Sequence, residues 1–160
     1  MISNDTSDRI VVNISWSLDT KVFKDLSKEL HDKTGEPGHL AGNTFYFPEN
    51  FANGYCKHWR VEEHMAAFYI RYTASRPFLF RRSMQDAAGL TLIGFIGSNN
   101  VAIGKHASFI APPPTVIETD VNTGETVIAL IVTVTPSYLQ SLAPGANRDW
   151  HFNYLPDSWT

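Results

Sequence analysis

From His39 onward the chain breaks into short runs rich in Val, Ile, Phe, Tyr and Thr, punctuated by Gly, Pro and Asn. That pattern is the signature of an antiparallel β architecture of the sandwich or barrel kind. The runs predict strands over 39–47, 54–62, 65–73, 77–82, 89–97, 100–104, 106–111, 114–121 and 125–135. The turns Glu62-Glu63-His64, Ser75-Arg76-Pro77 and Asn122-Thr123-Gly124 read as local hairpins, the last with a Gly to take up positive φ. Pro112, Pro113 and Pro114 remove three consecutive backbone donors, so that stretch belongs at an edge or between strands.

Upstream of this region, Arg9 to Trp16 has the β-branched and aromatic character of a strand or extended arm, and 9–16 is the natural mobile element. Asp19 or Ser17 then caps an amphipathic helix whose apolar positions Phe23, Leu26 and Leu30 are three and four apart, and Gly35 ends it. After Thr135, Pro136 opens a short helical turn, PSYLQSL, which stops at Pro144-Gly145. Beyond it, Trp150, Phe152, Tyr154 and Trp159 form an aromatic tail that calls for a docking partner. With 160 residues a single core suffices, so the organisation expected is an arm and helix over 1–35, a β-barrel over 36–143 and a tail over 144–160.

Composition narrows the function classes. A chain with 43% apolar, 12% aromatic and 18% charged residues folds rather than staying disordered. A net charge of -3 supplies no broad cationic field, which disfavours direct DNA binding. The polar start Met1 to Arg9 does not resemble a secretory signal, and the apolar stretch from Val127 to Val134 is far below the roughly 18 residues of a membrane helix. Cys56 stands alone, which excludes an internal disulfide or a Cys-based zinc site and makes a cytoplasmic location the default expectation.

Catalytic signatures are sparse. Gly94, Gly97 and Gly104 do not make a phosphate-binding loop. None of His31, His39, His58, His64, His106 and His151 forms a His-x-His pair, so no preformed metal site is expected on one strand face. His58 and His64 with Glu62 and Glu63 read as solvated hairpin residues before they read as a metal site, and Cys56 beside His58 reads as an inert buried thiol before a nucleophile. No cofactor is expected, and the chain reads as a binding protein, not an enzyme.

Charge and strand parity bear on a ligand site in the barrel. Lys57, Arg60, Arg71, Arg76, Arg81 and Arg82 face only Glu62 and Glu63 over 57–82, while 112–160 is acidic. Outward-facing strand charges are the first explanation, and a basic lumen or rim for an anionic ligand is the functional one. Over 65–73 one face holds Ala66, Phe68, Ile70 and Tyr72 and the other Met65, Ala67, Tyr69 and Arg71, both largely apolar, which fits double burial or a cavity. The ligand-contact candidates are Trp59, Arg60, Tyr69, Arg71 and Tyr72, with ordinary core packing as the competing reading for the aromatics.

The segment Phe47-Pro48-Glu49-Asn50-Phe51-Ala52-Asn53-Gly54-Tyr55-Cys56 resembles the opening of the amino-terminal sensor domain of AraC-type transcriptional regulators. MAAFYIRYTASRPFLFRR (65–82), LTLIGFIGS (90–98) and ETVIALIVTVTPSYLQSL (125–142) look like the later strands and closing helix of that domain, so the likeness covers roughly 38–143. It implies a cupin-like antiparallel β-barrel or jelly roll. The role implied is effector sensing in a bacterial, cytoplasmic regulator, with a small molecule bound in the β-barrel as ligand and a helix-turn-helix DNA-binding region of the same regulator as partner. Nothing after Leu142 resembles that region, so this chain is expected to hold no DNA-binding domain, and a homodimer stays open. The alternatives are a stand-alone cupin enzyme and a carbohydrate-binding or assembly module.

Overall fold

A computed structural model describes residues 9–83, 91–98, 106–111 and 116–142. Two helices and ten strands follow in the order β1 (Ile10–Ser15), α1 (Lys21–Thr34), β2 (His39–Ala41), β3 (Thr44–Tyr46), β4 (Ala52–Glu62), β5 (Met65–Ala74), β6 (Phe78–Ser83), β7 (Thr91–Ser98), β8 (His106–Ala111), β9 (Val116–Val121), β10 (Thr126–Val134) and α2 (Pro136–Leu142). The chain is mainly β, with both expected helices where their periodicity and Pro136 put them. The expected strand at 100–104 and the aromatic tail lie outside the described residues.

The strands form two sheets, ordered β2-β3-β4-β5-β10-β7-β8 and β1-β6-β9. All pairs are antiparallel except β1 on β6, which runs parallel from Ile10↔Phe78 to Ser15↔Ser83. Residues 9–16 are thus a paired strand rather than a mobile arm: Trp16 N–H donates to Ser83 O at 3.0 Å, extending the ladder past β1.

Three expectations need correction. The single strand expected at 39–47 is a small hairpin, because Gly42 takes φ 60° and turns β2 back onto β3. Only Glu62-Glu63-His64 is a hairpin turn of the kind expected. Ser75-Arg76-Pro77 carries the chain from β5 in the larger sheet to β6 in the smaller, and Asn122-Thr123-Gly124 carries it back from β9 to β10. Repeated crossing between sheets also explains the third: among the described residues the strands do not close into a barrel, since β1, β6 and β9 pair only with one another.

The core lies between the sheets and under α1. Tyr72 on β5 meets Phe78 and Phe80 on β6 with centroids 5.7 and 6.1 Å apart, and Phe51 lies on Phe78 at 4.2 Å. Helix α1 buries Val22, Phe23, Leu26 and Leu30, and Phe23 packs on Phe45 and edge-on against Phe68. The N-cap position is Thr20, which makes no side-chain cap, and Asp19 one residue earlier accepts from Lys21 N–H through Oδ1 at 2.8 Å, while Gly35 closes the helix in the left-handed region at φ 80°.

Candidate functional site

Strands β4, β5 and β10 alternate cleanly once their partners are known. Cys56, His58, Phe68, Ile70, Tyr72, Ala129 and Ile131 point into the core, and Tyr55, Lys57, Trp59, Tyr69, Arg71, Ile128 and Leu130 point away from it. Neither helix nor second sheet covers that outward side at its most open positions, where Tyr46, Trp59, Ile128 and Leu130 remain 46%, 41%, 43% and 40% exposed. These four large apolar side chains lie on one side of the sheet, on β3, β4 and β10, with β5 between the last two.

Register brings three of the five expected contact residues together here. Arg71 lies opposite Tyr55 and Ile128, Tyr69 opposite Lys57 and Leu130, and Trp59 opposite Ala67. Rings continue across the sheet: His39, Tyr46, Tyr55 and Tyr69 follow one another with centroids 6.3, 6.2 and 6.1 Å apart. Lys57 Nζ stands 5.5 Å from the Trp59 ring centroid, a cation–π distance that holds the ammonium on the face. The middle of the face therefore carries Lys57 and Arg71 among aromatic and aliphatic side chains; Glu62 stands at its rim, beside the β4–β5 turn. Such a surface stacks on planar or ring-shaped ligands and pairs with anionic groups.

The other two expected residues are elsewhere. Tyr72 shares a strand with Tyr69 and Arg71 but has the opposite parity, and at 1% exposure it belongs to the core. Arg60 is exposed, but its guanidinium turns along the hairpin, Nε donating to Glu62 O at 2.9 Å and Nη2 donating to Glu63 O. Tyr46, Tyr55, Ile128 and Leu130 were not among the candidates, because only the pairing of β3, β4, β5 and β10 places them beside Trp59 and Arg71.

A cavity of about 20 Å³ lies between the sheets and α1, with Trp16, Phe23, Phe47, Cys56, Phe80 and Arg82 among its walls. Its walls are almost wholly apolar, and it is too small for an organic effector. Burial pushes the Cys56 thiol well above its ordinary range, against a smaller opposing pull from Arg82, so the thiol is held protonated. His58 is buried against Phe68 and shares a 2.8 Å hydrogen bond between Nε2 and Leu18 O, a structural contact to the segment leading into α1. Among the described residues no three His, Cys, Asp or Glu side chains converge to hold a metal, and no helix is long and apolar enough to cross a membrane.

No family model matches the sequence, and no curated protein does. Among solved structures the chain is similar to a GH30 endoxylanase from Clostridium papyrosolvens, with 7% identity and a TM-score of 0.30 over 72% of this chain and 28% of that one. It is also similar to a GH family 44 endoglucanase from Clostridium thermocellum, with 8% identity and a TM-score of 0.33 over 69% and 23% of the two chains. The chain spans about a quarter of the length of either enzyme. Similarity this low assigns neither family nor activity.

Proposed function

We propose that the chain is a non-catalytic ligand-sensing domain that recognises a small ring-shaped or anionic molecule on the open face of its larger sheet. The observation carrying this reading is the convergence of Trp59, Tyr69 and Arg71 on one exposed surface, with Lys57 and Tyr55 between them. Aromatic faces supply stacking area at low entropic cost, and the guanidinium and ammonium supply orientation.

The biological role we attach to it is effector sensing in an AraC-type transcriptional regulator of the bacterial cytoplasm, through a helix-turn-helix region of the same regulator. Support comes from the FPENFANGYC segment and the strand clusters that follow it. The finer fold in this reading is a cupin-like jelly roll, and the repeated crossing of the chain between two sheets supports it. A carbohydrate-binding module is the second reading, favoured by the exposed ring series His39, Tyr46, Tyr55 and Tyr69.

Thermal unfolding in the presence of free sugars, sugar acids and small organic acids tests the proposal. A ligand of the folded state raises Tm with concentration, and Trp59→Ala and Arg71→Gln are each expected to weaken that effect at least tenfold while leaving the unliganded Tm within a few degrees. No shift from any of these compounds, or a shift that both variants retain in full, contradicts it. Soluble oligosaccharides discriminate the second reading: binding that strengthens with chain length favours the carbohydrate module.

A further inference from the structure

Exposed cations are partnered differently on the two sheets. Beside the smaller sheet Arg9 and Arg81 are paired within the chain, with Asp120 and Glu118 of β9. On the open face of the larger sheet, Lys57 and Arg71 have no such partner: among the described residues neither side chain makes an ion pair or a hydrogen bond, and the Lys57 ammonium rests on the Trp59 ring. Their cross-strand neighbours are Thr44 and Tyr69 for Lys57, and Tyr55 and Ile128 for Arg71, none of them acidic. Tyr69 stands opposite Lys57 and two residues from Arg71, so the two cations are diagonal neighbours, about 7–8 Å apart at the backbone. Two unpaired cations so placed complement two anionic groups on one ligand.

The rings beside these cations extend further than one small molecule needs. His39, Tyr46 and Tyr55 stand directly opposite one another on β2, β3 and β4, in a line that reaches Arg71 on β5, so the row runs across the strands. Strands lie about 4.8 Å apart, close to the advance of one pyranose unit in a linear chain. A sugar acid of one ring covers Tyr55 and Tyr69 beside the cations and leaves His39 and Tyr46 unused, whereas a chain of about four units covers the whole row. Polar groups flank the row on the side away from Lys57: Asn53 and Thr73 are exposed and opposite one another, with Thr73 Oγ1 2.8 Å from Thr126 Oγ1. Amide and hydroxyl groups beside ring faces suit a ligand that is hydroxylated at its edges and apolar on its ring faces, which is the surface of a sugar.

We infer that the open face takes a linear acidic oligosaccharide, a chain of uronic acid units lying across β2 to β5 with its rings on Tyr46, Tyr55 and Tyr69 and its carboxylates on Arg71 and Lys57. This rests on the reading of the open face as the ligand surface, and it fixes the class, length and direction of the ligand. Single-stranded nucleic acid also combines rings with negative charge, but it carries a phosphate on every unit and is held by broadly cationic grooves. Here Lys57 and Arg71 serve a row of four rings, with Glu62 at the rim and a net charge of -3 on the chain.

Calorimetric titration of the full chain with oligomannuronates of one to six units tests this, with cello-oligosaccharides of the same lengths as neutral counterparts. Kd is expected to fall at least about tenfold from monomer to tetramer and then to level off, and the neutral tetramer is expected to bind at least about tenfold more weakly than the acidic one. Tyr46→Ala is expected to weaken the tetramer several times more than the monomer, and Arg71→Gln to remove most of the preference for the acidic chain. Equal Kd for monomer and tetramer, equal Kd for acidic and neutral tetramers, or tighter binding of an oligothymidylate than of the hexamannuronate overturns the inference. Absence of oligomannuronate binding overturns it too; if a small organic acid still binds and Trp59→Ala and Arg71→Gln weaken that binding, the open face stands as a ligand surface without the oligosaccharide. Oligomannuronate binding that both of these variants retain in full overturns the face itself.

Discussion

The indole N–H of Trp16 donates to the Thr133 hydroxyl at 2.8 Å, a buried hydrogen bond between residues 117 positions apart. It ties the chain just past β1, in the smaller sheet, to β10 near the middle of the larger one, and the Trp16 ring lies 4.7 Å from Phe68 on the same sheet. Thr133→Val preserves shape and leaves the indole N–H unsatisfied, so it is expected to destabilise the fold by about 1–3 kcal/mol. Urea unfolding checks this, as a lower midpoint at an unchanged m-value. A midpoint equal to that of the parent contradicts the bond's role.

Alternation on β10 sets up a paired comparison. Ile131 is fully buried while Ile128, on the other face, is 43% exposed. Ile131→Ser removes core volume and buries a hydroxyl, with an expected cost above about 3 kcal/mol, whereas Ile128→Ser is expected to change stability by less than about 1 kcal/mol. Equal costs in denaturant unfolding imply that the outward side is covered.

Alkaline pH should weaken the fold. Burial raises the folded-state pKa of Cys56 above its ordinary 9.0 and of Tyr72 above 10.0, in both cases against a smaller lowering by Arg82; Glu125 adds to the rise at Tyr72. The folded state therefore keeps protons that the unfolded chain releases, so this contribution is fully present below pH 9 and declines above it. Urea midpoints from pH 8 upward are expected to fall more steeply for the parent than for Cys56→Ala, and Cys56 should stay unreactive toward thiol reagents until the chain unfolds. Matching slopes, or rapid native-state labelling, contradict the burial of this thiol.

Much of the fold was legible in local pattern. The spacing of Phe23, Leu26 and Leu30 and the stop at Gly35 gave α1 nearly to the residue, and β4, β5, β6 and β10 fall within two residues of the expected runs. What local pattern does not carry is which strand pairs with which. Ser75-Arg76-Pro77 has the same turn chemistry whether it closes a hairpin or carries the chain to another sheet, so the two-sheet division and the parallel β1–β6 pair were not readable. The candidate site divides the same way. Tyr69 and Arg71 share parity and emerge together, but Tyr72, grouped with them by residue type, falls on the core side. Tyr46 and Leu130 enter the face only through long-range register.

Amide and methyl NMR of the protein titrated with whichever sugar, sugar acid or organic acid gives the largest Tm increase tests the central claim most directly. Recognition on the open face predicts that the largest shift changes fall on Tyr55, Lys57, Trp59, Tyr69, Arg71, Ile128 and Leu130, across β4, β5 and β10, with little change at Phe47, Ile70 and Phe80. Changes centred instead on Phe47, Ile70 and Phe80 contradict the account, because the ligand then enters between the sheets and the exposed aromatic face serves another purpose.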